Sequence, residues 1–183
     1  GISGGGSVTA GSQVISNNII NNLSSSAASA SVTGITVSGA VTDSVFGNVI
    51  HTLTASGITS PLVTGIAAST GTTISVFKNK IYNLSASAAI ATTNGAVAGI
   101  RLGGGTTGAT INVYNNLIGD LKAPLANLTD AIRGINITGV STTSTYNVSY
   151  NSIHLDATSA GANFGTSGLF HTYNLTATSG TLN

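Results

Sequence analysis

The chain has 183 residues and a formal net charge of +1; 5% of its residues are charged, none is Glu, and Cys, Met and Trp are absent. That length is enough for one domain with a real core, and the charge balance excludes nucleic acid and an anionic membrane surface as natural partners. Without thiols there is no disulfide framework, cysteine-based metal site or cysteine nucleophile. No apolar run reaches the ~18 residues of a membrane-spanning helix.

Two markers alternate along the chain. The first is Gly followed by Ile or Leu, at Gly1, Gly34, Gly65, Gly99, Gly134 and Gly168. The second is a nine-residue block: ISNNIINNL from Ile15, VFGNVIHTL from Val45, VFKNKIYNL from Val76, VYNNLIGDL from Val113 and VSYNSIHLD from Val148. The fourth position of every block is Asn (Asn18, Asn48, Asn79, Asn116, Asn151) and the sixth is Ile (Ile20, Ile50, Ile81, Ile118, Ile153). Successive Asn positions lie 30, 31, 37 and 35 residues apart. The variation falls in loop-like stretches such as SASAAIATTNG. Self-similarity at such a period is the signature of a repeat architecture.

The elements of each repeat read as short strands. Apolar β-branched residues alternate with polar ones and are bounded by Gly, Asn and Ser. Strand, bend at Asn, strand, loop and a third strand at Gly-Ile make one coil of a parallel β-helix. Coils stack about 4.8 Å apart, so five give a rod of roughly 25 Å. Equivalent residues then sit above one another, with Val and Ile inward. The Asn residues are expected to bend the chain through a left-handed conformation and to form an amide ladder. Gly34, Gly65, Gly99, Gly134 and Gly168 are expected at corners where a Cβ would crowd. The fold class is therefore all-β, a parallel β-helix of about five to six coils with no helical cap, in one domain over residues 1–183.

VYNNLIGDL, GIRLGGGTTGATINVYNN and STYNVSYNSIHLDATSAGANFGTSGLF resemble the repeats of large secreted β-helix proteins of Bacteroidota and related bacteria, typically exported by the type IX system. The resemblance spans the chain and implies a right-handed helix, a hand that general crossover chirality also favours. It further implies a cell-surface or released location. No C-terminal sorting domain is present in these residues.

Chemistry-bearing residues are few. Of the four acids, Asp43 belongs to the second coil, Asp130 to the loop ALANLTDAIRG, and Asp120 and Asp156 fall at block positions that point apart. No pair is set for acid–base work or for a calcium cage, so no catalytic residue, metal site or cofactor is expected. His51 and His154 share an outward column three coils apart, about 14 Å, too far for one ion. His171 stands alone. Phe46, Phe77 and Tyr114 form an aromatic column that can stabilise the solenoid or stack on sugar rings. GISGGGS and RLGGGTTG lack the Lys-Ser/Thr ending of phosphate loops and read as corners.

N-x-S/T triplets at Asn22, Asn83, Asn127, Asn136, Asn147 and Asn174 are about as frequent as chance allows. Asp43-Ser44-Val45 resembles the bacterial D-S/T-apolar O-glycosylation site and makes Ser44 a candidate. An ice-binding face would need a fixed Thr column, which the sequence is not expected to supply. The start in phase with the repeat, the stop near the next Asn block and the lack of an opening Met suggest an excerpt or a subunit with open ends. The reading favoured is a non-enzymatic extracellular β-helix of a surface fibre or adhesin stalk. Its partner is a second copy stacked head to tail or the flanking segments of a longer chain. A carbohydrate-binding module, and behind it a polysaccharide lyase or hydrolase, are the alternatives.

Overall fold

The computed structural model describes residues 1–5, 10–87, 95–139, 143–172 and 180–183. Each coil is three strands. The first coil is β1 (Ile2–Gly4), β2 (Ser12–Ser16) and β3 (Ile19–Ser25). The second is β4 (Ser31–Ser38), β5 (Thr42–Phe46) and β6 (Val49–Ala55). The third is β7 (Leu62–Ser69), β8 (Thr73–Phe77) and β9 (Lys80–Ala86); the fourth is β10 (Val97–Leu102), β11 (Thr110–Tyr114) and β12 (Leu117–Lys122). β13 (Ile132–Ile137), β14 (Thr145–Ser149) and β15 (Ser152–His154) make the fifth, and β16 (Thr166–His171) and β17 (Thr181–Leu182) begin a sixth.

Strands pair only with their counterparts in neighbouring coils. Sheet A is β1-β4-β7-β10-β13-β16, sheet B is β2-β5-β8-β11-β14-β17 and sheet C is β3-β6-β9-β12-β15. Every pairing is parallel. Among the described residues there is no helix. The molecule is an all-β parallel β-solenoid of about five turns.

The core is the inside of this tube. Sheet B sends Val45, Val76 and Val113 inward in register, sheet C sends Ile50, Ile81 and Ile118, and sheet A sends Ile35, Ile66, Ile100 and Ile135. All of these are fully buried. Identical branched side chains stacked one strand spacing apart interdigitate without voids, which is why these positions repeat.

Two details differ from the sequence reading. The Gly of Gly-Ile is not a corner residue: Gly34 and Gly65 lie in the middle of β4 and β7. The in–out alternation slips there, so that Val32, Ile35 and Val37 all face the core. A Cβ on Gly65 would lie 2.5 Å from the Gly99 carbonyl oxygen and 2.6 Å from Ile81 Cγ2. Gly99 and Gly134 are equally crowded, whereas nothing lies within 4 Å of a Cβ at Gly168.

The left-handed residue at the B–C corner is not the repeated Asn but the residue before it. Asn17, Gly47, Lys78, Asn115 and Tyr150 have φ of 56°, 65°, 55°, 55° and 54°. The turn is a demand on the backbone, and any residue that tolerates about 1–2 kcal/mol of strain can fill it. The same device recurs inside sheet C at Asn22, Thr52, Asn83 and Asp120, with φ between 51° and 56°. There it flips the parity so that Leu53, Leu84 and Leu121 point inward.

Candidate functional site

The most elaborated feature is the Asn column at the B–C corner. Asn48, Asn79 and Asn116 are 0%, 1% and 2% exposed. Each side chain does the same work. The peptide N–H of Asn48 donates to Asn79 Oδ1 (3.1 Å), and Asn48 Nδ2 donates to the same oxygen (3.0 Å). Asn48 Nδ2 is also within bonding distance of the Phe46 carbonyl in its own coil (3.0 Å) and the Ile15 carbonyl in the coil before (3.0 Å). Two N–H groups thus serve three acceptors.

Asn79 repeats this toward Asn116, and Asn116 toward Asn151. Asn18 opens the column by donating its N–H and Nδ2 to Asn48 Oδ1. The Asn carbonyls are used as well, accepting from Val49, Lys80, Leu117 and Ser152 of the following coil. Each middle Asn is therefore satisfied at N, O, Oδ1 and Nδ2, as a dry polar column requires.

The outer face of sheet B carries three further columns. Phe46, Phe77 and Tyr114 stack with centroids 4.8 and 4.9 Å apart and planes inclined by 12° and 4°. Their inner ring faces lie against one another. A sugar ring would find only edges, the Tyr114 hydroxyl and the two outermost faces.

Ser44 lies in the next column, in register with Val14 and Ser75, and is half-buried. Further up, the same column continues as Asn112 and Asn147, and Asn147 Nδ2 donates to Asn112 Oδ1 at 2.9 Å. The acid of the Asp43-Ser44-Val45 triplet is fully buried, so an enzyme reading that motif would meet only its Ser. Of the N-x-S/T positions, Asn136 is fully buried and closed to modification. Asn22 and Asn127 are exposed, Asn83 and Asn147 half-buried, and Asn174 lies outside the described residues.

The third column corrects an expectation. Thr42, Thr73, Thr110, Thr145 and Thr181 stand in one register, continued by Ser12. The unequal coil lengths hide this alignment when Thr is counted along the chain. It is visible once each coil is counted back six residues from its Asn.

On sheet C, His51 stacks on Tyr82 at 4.9 Å, and Lys80 Nζ sits 5.0 Å from the Tyr82 centroid. His51, Tyr82, Gly119 and His154 share one register column. Asp120 pairs with Lys122 at 2.7 Å, half-exposed and of little energetic weight. On sheet A, Arg133 lies 3% exposed over the Phe170 ring at 3.6 Å, and its Nε donates to the Asp130 carbonyl. Burial lowers the Arg133 pKa, and the Asp130 charge opposes that shift. The Ser167 hydroxyl donates to the Asp130 carboxylate.

Asp43 stands apart from the other acids. It occupies an inward column whose members, from Gln13 upward, are Asp43, Ile74, Ile111, Tyr146 and Leu182. Burial pushes its pKa up to about 6. Sequence reasoning placed it only in its coil. Its position five before the block Asn, apolar in the next two coils, was the signal that it faces inward.

Among the described residues, no three His, Cys, Asp or Glu side chains gather where they could hold a metal ion. The four acids are not brought together. No family model, curated protein or solved structure matches the chain significantly.

Proposed function

We propose that this chain is a structural, extracellular β-solenoid element of a bacterial surface fibre or adhesin stalk, extended by coil-on-coil stacking at its two ends. The next coil is supplied by a second copy or by flanking segments of a longer chain. The observation that carries this reading is the Asn column, whose two ends are complementary. Among the described residues, Asn18 Oδ1 accepts no hydrogen bond and the Asn151 N–H donates none, while Asn151 Nδ2 reaches only carbonyls. One end offers the acceptor that the other lacks.

The apolar interior supports the same reading. Leu169 and Leu182 are each 43% exposed on the last strands, where core positions lack a covering coil. Unpaired strand edges are templates for further pairing, and a head-to-tail contact generates an open filament. The repeats' likeness to secreted Bacteroidota proteins supports the location.

Electron microscopy of the purified chain, with sedimentation over a concentration series, tests the assembly. Filaments or concentration-dependent rods, abolished by Leu169→Lys with Leu182→Lys, are expected if copies stack. Short monodisperse rods at every concentration would refute copy-on-copy stacking. A native parent molecule seen as one long rod would assign the contact to flanking segments.

A further inference from the structure

Among the described residues, the interior of the first two coils holds two polar side chains besides the Asn column, Gln13 and Asp43. Asp43 is fully buried, and neither of its carboxylate oxygens has a hydrogen-bond partner among the described residues. Directly beneath it in register, Gln13 Oε1 is also buried and unpartnered. The Gln13 amide is already committed through Nε2, which donates to the Ser38 carbonyl at 3.1 Å. Turning the amide over would set its oxygen against that carbonyl, so Oε1 is the atom left for the column.

Three acceptor oxygens on adjacent members of one inward column therefore have no donor. The other groups around the carboxyl do not supply one. A Cβ placed on Gly71 would be 2.8 Å from Asp43 Oδ2, 3.0 Å from Ile74 and 3.2 Å from the Ala40 carbonyl oxygen, another acceptor. The inward residues of the neighbouring strands β2, β4, β6 and β8 are aliphatic or, at Gln13, an amide, and none titrates. No Lys or Arg occurs before Lys78. A carboxylate buried this way loses its hydration with nothing in return, and such groups neutralise.

We propose that Asp43 is carried in the folded chain as a neutral carboxylic acid, its proton directed along the column toward Gln13 Oε1, and that its ionisation is a pH-sensitive weak point joining the first two coils. The proton turns one of the three orphaned acceptors into a donor and removes the charge. Losing it restores a bare anion between Gln13 and Ile74, at the β2–β5 contact. The first coil is then held to the second less firmly as the pH rises. Middle coils, with Ile74 and Ile111 in the same column, have no such dependence.

The composition makes the test direct. The chain has four Asp and no Glu, so labelling the Asp side-chain carboxyl carbon with carbon-13 gives four signals. One of them is expected to titrate at about pH 6 and to vanish in Asp43→Asn. Amide exchange, corrected for its intrinsic pH dependence, is expected to show β2 less protected at pH 8 than at pH 5, and equally protected at both in Asp43→Asn. An Asp43 signal with no upward shift would overturn the proposal and leave a bound cation or water as the partner of the three oxygens. A high titration with β2 protection unchanged would overturn the weak point.

Discussion

Replacing Asn79 by Ala tests whether the Asn column holds the coils together. The substitution removes the Nδ2 contacts to the Val45 and Phe77 carbonyls and to Asn116 Oδ1. It also removes the oxygen that accepts from both the N–H and Nδ2 of Asn48. The Asn48 peptide N–H is then buried without a partner, at about 1–3 kcal/mol, and each other net hydrogen bond contributes about 1 kcal/mol. Because the Nδ2 contacts share two protons, the expected loss is about 3–5 kcal/mol. The Asn18 side chain at the end of the column accepts nothing and donates only from Nδ2, to the Ser16 carbonyl and Asn48 Oδ1, so Asn18→Ala should lose about 1–2 kcal/mol by the same reckoning. Urea unfolding read by circular dichroism measures both. Asn79→Asp, which keeps an acceptor but adds a buried charge, should be no milder than Ala. Equal costs at Asn79 and Asn18, or a cost below about 1 kcal/mol at Asn79, would refute the reasoning.

Gly65→Ala should lower stability by about 1–3 kcal/mol or more through overpacking, because its Cβ would meet the Gly99 carbonyl at 2.5 Å and Ile81 at 2.6 Å. Gly168→Ala, with nothing within 4 Å of its Cβ, should be near neutral, and thermal melts compare the two. Lys78 holds φ at 55° where the coil before uses Gly47. Lys78→Gly should therefore gain up to about 1 kcal/mol and Lys78→Val should lose at least as much. Asp43 gives a pH dependence whose sign is opposite to that of a salt-bridged carboxylate. Its folded pKa is raised from 3.8 to about 6, so the folded chain holds the proton more tightly, and stability falls as pH rises from about 4 to about 6. The shift of about two units corresponds to about 3 kcal/mol. In denaturant melts Asp43→Asn should match the parent at pH 4 and exceed it at pH 7.5; a parent profile that is flat or rises with pH would refute this.

The coil plan was legible because two side-chain demands repeat without exception. The block Asn must be Asn, since no other side chain offers an amide N–H and oxygen at that reach. The inward Ile must be branched and apolar, since it stacks on itself one strand spacing away. What the sequence concealed are positions where the demand falls on the backbone. Asn17, Gly47, Lys78, Asn115 and Tyr150 share a left-handed φ and no chemistry, so no pattern of residue types marks them. Asn22, Thr52, Asn83 and Asp120 are equally unlike, yet they decide that Leu53 and Leu84 face inward. The Thr column and the inward Asp43 were within reach, at six and five residues before each Asn, once the Asn rather than the preceding loop is taken as the origin.

The three corners of a coil are under unequal constraint, and the Asn column explains why. At the B–C corner two residues join the strands in every one of the five complete coils, Gly47 and Asn48 in the second and Lys78 and Asn79 in the third. A two-residue turn leaves peptide groups that the flanking sheets cannot pair, and the Asn side chain takes their place. The Asn48 N–H finds its acceptor in the next coil's amide rather than in a main-chain carbonyl. Side chains thus continue the sheet ladder around the bend, and an inserted residue would break the register of every coil above it. Among the described residues, the connection from sheet C to sheet A has no such column. It runs over residues 26–30, 56–61, 87–96, 123–131 and 155–165, a different length each time. Variation that leaves the stack intact falls on that connection, on the connection from sheet A to sheet B, which is three residues long after β4 and β7 but seven after β10 and β13, and on the outward columns. Any specificity this solenoid has for a partner along its length is therefore written there, while the locked corner and the interior serve only to carry the stack from one end to the other.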